Sequence, residues 1–67
     1  MPDPIKSASI SELEALKSET DINIFNVKLD EIAGRIEQAG MLEALDKELN
    51  DTADVLTQLL AEAEKAN

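Results

Sequence analysis

Nucleophilic catalysis needs a serine, cysteine or lysine activated by a neighbouring base, and this sequence has neither histidine nor cysteine. Its serines, Ser7, Ser9, Ser11 and Ser18, lie in the first third of the chain, where helix capping accounts for them. Carboxylates are plentiful, but Glu12 with Glu14, or Asp30 with Glu31, stand two apart or adjacent. On a helix such pairs diverge, so they do not converge on one proton for general acid–base work. Carboxylate metal sites in helical bundles draw on inward glutamates and a Glu-x-x-His motif, whereas the inward positions here are aliphatic. No glycine-rich loop follows a strand, so nucleotide binding has no motif to stand on. The expectation is a protein that is not an enzyme, with no catalytic residues, no metal, no cofactor and no small-molecule substrate.

The 67 residues allow one domain, 1–67, and a thin core. Neither disulfides nor a structural metal can reinforce it, which leaves association as the remaining support. One phenylalanine and two valines are poor material for strands, while alanine, leucine, glutamate and lysine are strong helix formers, so the fold class is all-α. A net charge of −9 argues against direct binding of nucleic acid, which needs basic groups to neutralise phosphates. The same charge admits an acidic protein that mimics nucleic acid. No apolar run suits a membrane span or a secretion signal, and the lack of cysteine fits a reducing compartment, so a cytoplasmic location is expected.

Pro2 and Pro4 predict an extended N-terminal arm over 1–8. Ser9 and Glu12 then have the spacing of a capping box, opening helix one over 9–39. Ile22, Phe25, Leu29, Ile32, Ile36 and Ala39 alternate spacings of three and four like a coiled-coil seam, and Gly40 follows as a left-handed cap. Thr20 or Asp21 is suited to cap a new helix, but one long helix, bent near residues 18–21, is the expectation. Helix two, over 41–66, repeats the alternation through Leu42, Leu45, Leu49, Thr52, Leu56 and Leu59. The short link predicts an antiparallel helical hairpin, coiled-coil-like, that places Arg35 by Glu48 across the seam. Glu31 with Arg35 and Glu43 with Lys47 are the favourable pairs within each helix. Thr52 at a core position is expected to bond the carbonyl of Glu48 within its own helix. Gly34 in mid-helix marks either close approach of another backbone or tolerated drift.

A continuous helix one carries a second stripe, Leu13, Leu16, Thr20, Ile24 and Val27, opposite the seam at about 100° per residue. Helix two adds Met41 and Leu60 beside its own seam. A lone hairpin cannot cover both faces, so two hairpins are expected to pair as a four-helix-bundle homodimer, the alternatives being a short helix of Ile10, Leu13 and Leu16 folded back on the hairpin, or a heterologous partner. The function expected is a protein–protein interaction module, a small adaptor, inhibitor or chaperone-like protein that offers an apolar helix face to an unidentified target protein. The competing expectations are the acidic nucleic-acid mimic and a structural subunit of a larger helical assembly. The mimic needs a dense acidic face, yet Lys47, Asn50, Thr57, Gln58 and Ala61 interrupt Glu43, Asp51, Asp54 and Glu64 on helix two.

Overall fold

The computed structural model describes residues 4–66, in which three helices and no strand are formed: α1 (Pro4–Leu16), α2 (Ile22–Gln38) and α3 (Asp46–Ala66). The chain is all-α, as its composition requires. Each helix contacts the other two, in a molecule 48 × 17 × 16 Å across its Cα atoms.

Helix α1 begins at Pro4, inside the segment expected to be an extended arm. A helix needs no N–H from its first residues, and proline's fixed φ suits its first turn, so Pro4 is accommodated and residues 4–8 are helical. The rest of the expected arm, 1–3, lies outside the described residues. Ser9 therefore sits within the helix, buried, and is no N-cap. Its supposed capping partner, Glu12, turns instead to Arg35.

The long helix expected over 9–39 is two helices, and the break is made by polar side chains bonding the backbone. Helix α1 closes in a tight turn, with the Ser18 and Glu19 N–H groups donating to the carbonyls of Ala15 and Leu16 at 3.2 and 2.9 Å. The Glu19 carboxylate accepts from the N–H groups of Thr20 and Asp21 at 3.0 and 3.1 Å. Asp21, in extended conformation, then caps α2 by accepting from the N–H groups of Asn23 and Ile24 at 2.9 and 3.1 Å. Every donor that a helix start leaves open is a reason for these residues to stop one helix and start another.

At the far end of α2 the expected glycine cap is present. Gly40 has φ +70, and the Met41 and Gly40 N–H groups donate to the carbonyls of Ile36 and Glu37, both at 3.0 Å. This is the paired 6→1 and 5→2 bonding of a Schellman motif, with Met41 packed on the same core as Ile36. The second long helix starts at Asp46, later than the expected 41: residues 42–45 are turns, tied by the Leu45 N–H to the Met41 carbonyl at 3.1 Å. Asp46 and Glu48 in the first turn complement the positive end of α3, which the apolar Met41 and Leu42 do not.

The core consists of Leu13 and Leu16 from α1, Phe25, Ile32 and Ile36 from α2, and Leu45 from the turn before α3. Ile10, Leu29, Met41, Leu49, Val55, Leu56 and Leu59 pack around it, partly buried. Thr52 is the one fully buried residue of α3, and its hydroxyl donates to the Glu48 carbonyl at 2.8 Å, as expected for a polar core residue that satisfies itself within its own helix. Among the described residues no buried side-chain nitrogen or oxygen lacks a hydrogen-bond partner.

Candidate functional site

The interruption at residues 17–21 decides which apolar residues stay outside. Spaced four and three apart, Ser9, Leu13 and Leu16 share one face of α1, and that face turns into the core: Leu13 and Leu16 are 1% and 4% exposed. The leading expectation puts them on an open partner-binding stripe; the structure has the alternative instead, a short separate helix carrying Ile10, Leu13 and Leu16 against the other two, because α1, released from the phase of α2 by the break, rotates its apolar face inward. Thr20 lies exposed in the break itself.

Ile24 and Val27 keep the outward position, 44% and 58% exposed. On α2 the buried residues Phe25, Ile32 and Ile36 mark the inner side. At about 100° per residue, Val27 and Gly34 fall almost diametrically across from them, with Ile24, Glu31 and Gln38 on the same outer strip. Asn23, Ile24, Val27, Lys28 and Glu31 line one shallow depression there, and Asp30, Glu31, Gly34, Arg35 and Gln38 line the next. A Cβ built on Gly34 would meet nothing within 4 Å, so no neighbouring backbone in this chain uses its missing side chain.

The remaining expected contact residues divide as well. Met41 is half-buried against the core, while Leu60 on α3 is exposed. Of the expected hairpin core, Phe25, Ile32, Ile36 and Leu45 are buried and Ile22, Leu29, Leu49, Leu56 and Leu59 are half-buried. Leu42 is the exception at 45% exposed, because the chain is still turning there and α3 has not begun.

Arg35 does not reach Glu48. Its guanidinium grips Glu12 of α1 with both arms, Nη1 donating to Oε1 at 3.1 Å and Nη2 to Oε2. The Glu12 hydrogen bonds, then its charge, raise the Arg35 pKa above its ordinary value; partial desolvation opposes this and Glu31 adds to it. The pair bridges the α1–α2 groove, since Glu12 and Arg35 line both the depression containing Ala15, Leu16 and Lys28 and the one containing Ile5, Ala8 and Gln38. Sequence spacing within one helix cannot disclose such a pair, because Glu12 and Arg35 are 23 residues apart. The expected Glu43–Lys47 pair is replaced by Lys47 with Asp51 at 3.6 Å, and Lys17 pairs with Glu14 at 3.0 Å.

Among the described residues, no group of three or more histidines, cysteines, aspartates or glutamates is placed to hold a metal ion, and no helix is long and apolar enough to cross a membrane. What the geometry offers is a polar-edged apolar strip on a helix whose opposite side is anchored in the core. No protein-family model, curated protein or solved structure matches the chain.

Proposed function

We propose that the protein is a non-enzymatic interaction module that binds a target protein through the outer strip of α2. The observation that supports this is the exposure of Ile24 and Val27, at 44% and 58%, on a helix that already buries Phe25, Ile32 and Ile36 on its other side. Large apolar side chains left side by side on an anchored helix are the usual material of helix-in-groove recognition. Adaptor, inhibitor and chaperone-like roles all use such a face.

Self-association is the second reading, favoured by Leu42 and Leu60, which are also exposed at 45% and 46%. It would keep α2 and α3 as a coiled-coil-like antiparallel hairpin and pair two copies into a four-helix bundle. With Leu13 and Leu16 of α1 inside the core, a second copy is not needed to cover them, which leaves the homodimer less to bury.

The test is a double substitution, Ile24→Asp with Val27→Asp. Helicity and melting are expected to match wild type, since both sites face outward, while proteins that co-purify with the wild type from its own cells are lost. Retention of the same partners by a folded double variant would place the binding face elsewhere. Light scattering over a concentration range separates the second reading, because only a homodimer has twice the chain mass.

A further inference from the structure

We infer that the outer strip of α2, from Ile24 to Gln38, is shaped and charged to receive a basic amphipathic helix; this rests on the interaction role proposed above and specifies the partner's chemistry. Ile24 and Val27 form the apolar end of the strip. Gly34 follows seven residues after Val27, in nearly the same phase, and the depressions around the two share Glu31, so the surface is continuous along the helix. Glycine weakens a helix interior, and nothing within 4 Å fills the space beside Gly34. The space is open to a partner from outside this chain, and a crossing helix can bring its backbone close there.

Charge selects the occupant. Among the described residues Asp30, Glu31 and Glu37 form no ion pair, and Arg35 is held by Glu12 while Glu31 acts on it through its charge, so the carboxylates of α2 outnumber the two cations beside them, Lys28 and Arg35. A second copy laid on this strip would bring Asp30 and Glu31 against their own likeness and add its own charge of −9. Nucleic acid and anionic lipid meet the same repulsion. A partner helix with leucine-like residues on one face and lysine or arginine along its margins would seat the first on Ile24 and Val27 and pair the second with the carboxylates. From Ile24 to Gln38 the strip runs about 20 Å, matching about four turns of helix.

The test uses three labelled helical peptides of equal length against the intact protein, followed by fluorescence anisotropy near physiological salt. One carries an apolar stripe with basic margins, the second the same stripe with neutral margins, and the third the basic composition scrambled to destroy the stripe. The basic striped peptide is expected to bind at least about tenfold more tightly than either control. Val27→Asp and Gly34→Leu should each weaken it by about tenfold or more, with circular dichroism melts showing that both variants fold. Equal binding of the neutral striped peptide, lost in Val27→Asp, would overturn the basic partner while leaving the binding face in place. Equal binding of the scrambled peptide, or indifference to both substitutions, would reduce the effect to bulk charge and overturn the inference. Self-association that Val27→Asp abolishes would do so as well, by making a second copy the occupant.

Discussion

At the scale of single residues, Gly34 separates stability from binding. A glycine in a helix interior costs about 0.5–1 kcal/mol relative to alanine, and its Cβ position here is open, so Gly34→Ala is expected to stabilise the chain by that amount in urea denaturation. A destabilised Gly34→Ala would mean that the space is not free. Thr52 presents the opposite case, a fully buried hydroxyl whose partner, the Glu48 carbonyl, lies within its own helix. Because Thr52→Val removes the hydroxyl and keeps the branched shape, stability should stay within about 1 kcal/mol of wild type. A larger loss would show that the hydroxyl fixes the packing of α3. Arg35 offers no useful pH handle: a raised arginine pKa contributes stability at every pH below its ordinary value and loses it only in strong alkali. Substitution of Glu12, not titration of Arg35, is the way to open that pair.

Among the elements, apolar periodicity disclosed α2 and α3 but not the boundary between α1 and α2. Leu13, Leu16, Thr20, Ile24 and Val27 keep helical spacing straight through the interruption, so a pattern of side-chain polarity has no means of registering it. The break is decided by backbone donors that Glu19 and Asp21 satisfy, and the capping potential of Thr20 or Asp21 was the local hint of it in the sequence. The outward direction of Ile24 and Val27 was legible in the sequence because their phase on α2 depends on that helix alone. For Leu13 and Leu16 the sequence left two directions open, the outer stripe and a short helix folded back on the hairpin, since their direction depends on how α1 is rotated after the turn. The same logic explains Leu42, which continues the seam in sequence while the backbone is still completing the turn after Gly40. Removing the cap with Asp21→Ala is expected to cost about 1 kcal/mol in urea denaturation, with lost protection from hydrogen exchange concentrated at Asn23 and Ile24. Unchanged protection there would mean that the junction is held by packing alone.

For the whole molecule, the net charge of −9 on 67 residues makes self-repulsion a general term, whereas the three ion pairs among the described residues lie at the surface. Adding salt to a few hundred millimolar should therefore raise the melting temperature; a fall would show that local ion pairs outweigh the repulsion. What sets the fold apart is which apolar face the chain keeps for itself. A three-helix arrangement with Leu13 inside and Val27 outside differs from a pair of long-helix hairpins in what each residue supports. The most direct measurement is urea denaturation of Leu13→Asp beside Val27→Asp, monitored by circular dichroism. Burying an unpaired carboxylate at Leu13 should exceed the stability available to a domain this small and leave the variant unfolded or molten, while Val27→Asp should unfold within about 0.5 kcal/mol of wild type. Equal and severe destabilisation of both variants would contradict the account, because it would place Val27 in a buried interface and return both residues to one continuous apolar face.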